Sequence, residues 1–233
     1  MTNLSKQEVQ ELPEEPKDFL SSKVHRRSFL QYAGMGAAGI ALVAAGCKKE
    51  KMTEGVYLGS GDIGILNYAY ALEQLEAAFY TQVVASPYAG ISDVEKSFMT
   101  DIRDHEIAHR EFFKNALGGM AIPALEVDFT SIDFTSRASV LATAMAFEDL
   151  GVTAYDGAGY LLKSPDYLLL AGKIVSVEAR HAALIRELIA PNTFLGAEVD
   201  ANSVNIARSP AEVLAAAGKY IKTKINAEGL PTA

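Results

Sequence analysis

The chain has no tryptophan and a single cysteine, and its 21 Lys and Arg are outnumbered by 29 Asp and Glu, for a net charge of −8. One cysteine excludes an internal disulfide framework and any metal site built on several thiolates. The acidic balance argues against nucleic acid as a partner, because phosphate binding calls for a basic surface. No glycine-rich phosphate loop opens a helix after a strand, and no Ser-His-Asp set stands out. What the 233 residues do contain is a hydrophobic fraction of 49 %, rich in Ala and Leu. That is enough for a sizeable core, and it leans helical on propensity.

Residues 1–22 are polar, with Pro13, Glu14, Glu15 and Pro16, a composition that predicts disorder. Arg26-Arg27-Ser28-Phe29-Leu30 follows, then an apolar Gly/Ala-rich stretch from Tyr32 to Gly46. That stretch is shorter than the ~20 residues needed to cross a bilayer, and it fits the apolar region of a signal peptide. Arg26 and Arg27 resemble a twin-arginine export signal, with Gln31 where Lys is usual. Val43-Ala44-Ala45-Gly46-Cys47 resembles a lipobox, with Ala44 where Leu is usual. On this reading residues 1–47 are a signal segment and Cys47 becomes a lipidated N-terminus. The protein is then exported to the periplasmic or extracytoplasmic face and tethered to a membrane surface without spanning it. Cleavage before Cys47 would remove five basic and five acidic residues, leaving the net charge unchanged.

Residues 48–61 read as a polar linker with glycine breakers, 62–226 as the folded domain and 227–233 as a tail. Four long helices are expected. The first spans about 62–86, with Asp62 as N-cap and Pro87 as stop. The second spans about 92–117, opened by a Ser92/Glu95 capping box and closed by Gly118-Gly119. The third spans about 136–163. The fourth spans about 165–190, between Pro165 and Pro191. A shorter fifth is expected over about 209–226, covering the bundle or an oligomer contact. Helices one and two are joined by the short Pro87-Tyr88-Ala89-Gly90 turn, and three and four around Ser164-Pro165, so each pair should be an antiparallel hairpin. The segment 118–135 carries alternating apolar residues (Val127, Phe129, Ile132, Phe134) and is long enough to travel the length of a bundle. Two hairpins joined by one long crossover make the ferritin-like variant of the all-α four-helix bundle.

The chemistry sits on these helices. Helix two contains Glu106-Ile107-Ala108-His109, and helix four Glu178-Ala179-Arg180-His181. Positions i and i+3 share a helix face, so a carboxylate and an imidazole so placed can converge on one metal ion. Helix one and helix three repeat each other without gaps, which equates Glu73 with Glu148 and Tyr80 with Tyr155. The interval from Glu73 to Glu106 is three residues longer than that from Glu148 to Glu178, and the tighter second turn accounts for it. Glu76 fits the spacing as well and lies on nearly the same face as Glu73. The repeat favours Glu73, as a bridging ligand, and leaves Glu76 as an extra one. Carboxylates and neutral imidazoles together suit iron or manganese rather than Cu(I). Without metal, four buried carboxylates would repel one another and some would bind protons. His105, about 100° round the helix from Glu106, reads as an ordinary satisfied side chain, and Arg180 and Asp149 as salt-bridge or supporting residues.

Residues 62–226 resemble the ferritin-like domain family, near the branch of desiccation-related proteins. The stretches that carry the resemblance are LNYAYALEQLEAAFY (66–80), EIAH (106–109), AFEDLGVTAY (146–155) and EARH (178–181). The resemblance implies two metal ions per chain, iron or alternatively manganese, held by Glu73, Glu106, His109, Glu148, Glu178 and His181. It implies oxidation of Fe(II), or reduction of O2 or peroxide, with Tyr80 and Tyr155 supplying hydrogen bonds or an electron. Dismutation of peroxide by manganese is a second reading. A non-enzymatic, membrane-tethered stress protein is a third, and under any of the three the chain could form a homo-oligomer. An export signal departs from the cytoplasmic cage-forming ferritins.

Overall fold

The structure is a computed structural model that describes residues 54–232. Arg26, Arg27 and Cys47, read from the sequence as an export signal and a lipidation site, lie outside the described residues. In chain order the elements are β1 (Val56–Tyr57), α1 (Gly61–Ala85), α2 (Asp93–Leu117), α3 (Arg137–Gly159), α4 (Pro165–Ile189), α5 (Pro210–Ala217) and β2 (Ile225–Asn226). No helix among the described residues is long and apolar enough to cross a membrane.

The four long helices pair as α1 with α2 and α3 with α4. The hairpins meet through α1 against α3 and, more sparsely, α2 against α4. Helix α1 is buried on nearly every side, as expected of a helix apolar all round, whereas α2 turns a polar face outward. Between the hairpins the crossover runs along α1, pinned by two buried polar side chains. Asn67 accepts from the amide of Ile122 at 2.9 Å and donates to the carbonyls of Leu58 and Met120. Gln74 accepts from the amide of Leu125 at 2.8 Å. Phe129 and Phe134 then pack on Phe79, which in turn meets Phe147 of α3 edge-on at 5.1 Å. A helix-length crossover with its amides satisfied this way fixes the all-α, ferritin-like arrangement.

Several local expectations are revised. Ser60, not Asp62, occupies the N-cap of α1. Asp62 instead accepts from the amides of Lys163 and Ser164 at 2.8 and 2.9 Å, holding the turn between α3 and α4. Ser92 caps α2 through the amide of Glu95, but no capping box closes, because the Glu95 carboxylate binds Arg137 at 2.8 Å. The fifth helix stops at Ala217; a 3-10 turn over Gly218–Tyr220 follows, and the chain then extends. Within the segment read as linker, β1 pairs in parallel with β2, Val56 opposite Ile225, and Leu58 is fully buried. Tyr220 packs edge-on against Phe147 at 4.8 Å, so the C-terminal segment covers the bundle.

Candidate metal centre

Four helices each send a carboxylate inward at one level. Glu73 (α1), Glu106 (α2), Glu148 (α3) and Glu178 (α4) are wholly buried, and His181 is 4 % exposed. Such residues reach the core because the i, i+3 spacing of each Glu-x-x-His motif sets both side chains on the inner stripe of an amphipathic helix.

Two groups form. Glu73, Glu106, His109 and Glu178 each offer one ligand atom, all within 4.8 Å of one another, and Glu106, Glu148, Glu178 and His181 do the same. Glu106 and Glu178 belong to both groups. Glu73, read from the sequence as a bridging ligand, falls in the first group only and Glu148 in the second only. The Nδ1 of His109 lies 2.9 Å from Glu178 Oε1, 3.4 Å from Glu73 Oε2 and 3.6 Å from Glu106 Oε2. The Nδ1 of His181 lies 2.9 Å from Glu106 Oε1, 3.3 Å from Glu148 Oε2 and 3.8 Å from Glu178 Oε2.

Both Nδ1 atoms, both oxygens of Glu106 and of Glu178, and Oε2 of Glu73 and Glu148 are buried without an aligned hydrogen-bond partner. Eight polar atoms facing one another unpaired would be costly as pure structure. A cation at each focus would satisfy them, and the oxygen-plus-imidazole set fits iron or manganese. The cluster could therefore hold metal ions.

The outer carboxylate oxygens are cross-wired. Tyr80 on α1 donates to Glu148 Oε1 on α3 at 2.5 Å, and Tyr155 on α3 donates to Glu73 Oε1 on α1. The two repeat-related tyrosines, both buried, thus each hold the other hairpin's ligand. The repeat breaks one turn further on. Glu76 is 4 % exposed and lies outside both four-residue groups. Its counterpart is Gly151, where a Cβ would stand 3.3 Å from Glu76 Oε1 and 3.6 Å from Glu178 Oε2. The missing side chain on α3 makes room for the extra carboxylate on α1.

Without metal the cluster holds protons. Burial opposes charge on His109, but Glu106, Glu178 and Glu73 outweigh it and raise the imidazole to about 12. His181 is likewise raised to about 12, with Glu106, Glu148 and Glu178 overcoming burial. Burial lifts Glu148 to about 7 and pushes Glu73, Glu76 and Glu106 upward too. Burial also works against Glu178, yet both imidazoles reach it and hold it near 2. One bridging carboxylate is thus ionised between two imidazolium rings, and the buried carboxyls around it are driven toward the acid form.

His105, read from the sequence as an ordinary satisfied side chain, lies outside both groups. Its Nδ1 is satisfied 2.9 Å from His181 Nε2, with the rings stacked at 5.1 Å and 11°. The signal available was its i, i+4 spacing to His109, which puts both on one side of α2. Asp149 does form an ion pair, at 2.5 Å to Arg186, whose other partner is Glu198, while Arg180 is exposed.

The ferritin-like domain family matches residues 61–191, which cover α1 to α4 and all eight converging atoms. No curated protein matches the chain.

Proposed function

The chain belongs to the ferritin-like domain family, and from that premise we propose that it is an exported di-iron protein that oxidises Fe(II) or reduces O2 or peroxide, in iron or oxidative-stress handling. The observation that carries this reading is the pair of four-ligand groups sharing Glu106 and Glu178. Iron there would supply one-electron chemistry toward O2 or peroxide. The protein's part is to hold and to balance charge. Glu73 and His109 would hold one ion and Glu148 and His181 the other, with Glu106 and Glu178 within reach of both. Glu76 stands by as a further carboxylate.

Two divalent ions bring four positive charges, which the four carboxylates offset once ionised. Filling the site would therefore release the protons on His109 and His181, freeing their Nδ1 atoms to hold metal. Tyr80 and Tyr155 orient the ligands Glu148 and Glu73, and each hydroxyl stands one carboxylate away from the ligand atoms, where it can supply a proton or an electron. Arg26 and Arg27 route the protein for export, and a lipid on Cys47 keeps it at a membrane surface facing its diffusible substrates.

The test is metal analysis of protein purified from cells grown with both iron and manganese, followed by Fe(II) turnover with O2 and with peroxide. Two iron ions per chain and turnover support the proposal. Two manganese ions with peroxide dismutation replace it. A chain that takes up neither ion on anaerobic reconstitution refutes it.

A further inference from the structure

The two imidazoles of the centre have different surroundings, although the repeat relates them. The Nδ1 of His181 faces Glu106 and Glu148 at 2.9 and 3.3 Å. Its Nε2 points the other way, to Nδ1 of His105 at 2.9 Å, with the two rings nearly parallel. His105 sits on the exposed side of α2 immediately before the bridging Glu106. Where α4 repeats α2, with Glu178 in place of Glu106, the residue before the glutamate is Val177, an aliphatic side chain with neither donor nor acceptor.

We propose that His105 is a positioning residue for the metal position of His181 and that this makes the two positions unequal in affinity. The inference rests on the di-metal reading above. An imidazole can give its Nδ1 lone pair to a metal only in the tautomer that carries its proton on Nε2. That N–H needs an acceptor, and Nδ1 of His105 is the atom within reach. The bond fixes both the tautomer and the ring plane of His181, and His105 in turn keeps its own proton on Nε2. Supports of this kind are typically worth 10- to 100-fold in metal affinity.

Co(II) uptake under equilibrium competition with a chelator tests this on the whole protein. In wild type, two binding steps are expected. His105→Ala should weaken one step by about 10- to 100-fold and leave the other within about twofold. His105→Asn, which can put an oxygen near the place of Nδ1, should restore most of the loss. His105→Phe, which keeps the stacked ring and loses the acceptor, should behave like the alanine variant. With His181→Ala already present, His105→Ala should change nothing further. Two unaltered steps in His105→Ala overturn the proposal, and so does rescue by Phe without rescue by Asn, which would mark a packing role. Failure of the wild-type protein to take up Co(II) overturns the metal reading together with this inference, whereas uptake that is indifferent to residue 105 overturns this inference alone.

Discussion

Raising the pH of the metal-free protein should destabilise it, and adding metal should reverse that trend. His109 and His181 carry folded-state values of about 12 against an ordinary 6.5. For a group raised on folding, the stabilisation is complete below the unfolded value and is lost as pH climbs toward the folded one. Each unit of difference is worth ~1.36 kcal/mol. Between pH 7 and pH 9 each imidazole therefore loses part of its contribution, on the order of a few kcal/mol for the two together. That is a large share of a typical domain stability of ~5–15 kcal/mol. Glu148, raised to about 7, shifts stability the same way by a few tenths of a kcal/mol over this window. Glu178, held near 2, is ionised in both states here and adds nothing; its contribution is lost only on acidification below its ordinary value of 4.5. The assay is urea unfolding followed by circular dichroism at pH 7, 8 and 9, with a chelator present throughout. A parallel series with excess Mn(II) under argon should show stability that holds or rises over the same range, because metal replaces the protons it displaces. Metal-free stability that stays flat or increases from pH 7 to pH 9 would show that the imidazoles are not protonated inside the cluster and would refute the charge balance described above.

Other outcomes follow from single contacts. His109→Ala should lose one metal position, and His181→Ala the other; two ions retained in both variants, by elemental analysis, would exclude them as ligands. Tyr80→Phe and Tyr155→Phe each remove a buried hydrogen bond to a carboxylate, so each should cost about 1.5–3 kcal/mol in chemical unfolding. Gly157→Ala places a Cβ 1.9 Å from the carbonyl oxygen of Arg208, a backbone atom that cannot swing aside. It should lower stability by about 1–3 kcal/mol or more, and a wild-type melting temperature would contradict the close packing of this segment on α3. Cys47→Ala should release the protein from the membrane fraction; a variant that stays membrane-bound would rule out a lipid there.

The long helices and their pairing were legible because periodicity and punctuation agree. Apolar stripes are bounded by Ser92, Pro165 and Pro191, and only one connection is long enough to cross the bundle. The convergence of Glu73, Glu106, His109, Glu148, Glu178 and His181 on one level was also readable, from the i, i+3 spacing and the internal repeat. Side-chain direction was not. Which glutamates reach between the two positions depends on how far each helix face turns inward, and that turned Glu106 and Glu178, rather than Glu73, into the shared pair. The partner that satisfies His105 was not readable because it lies on another helix, and the role of Asp62 was not because it accepts across the bundle from Lys163 and Ser164. The pairing of Val56–Tyr57 with Ile225–Asn226 is two residues long, too short to leave an alternating pattern.

The exchange of tyrosine bonds between hairpins has a mechanical consequence. Each half of the centre is finished by the opposite half of the chain, so neither hairpin can keep a complete site alone. Prising the hairpins apart must break both Tyr–Glu bonds and every ligand set at once. Metal held in the centre would thus act as a rivet. A chain nicked by a protease in the crossover should stay assembled while metal is bound, and its two fragments should part when a chelator withdraws it.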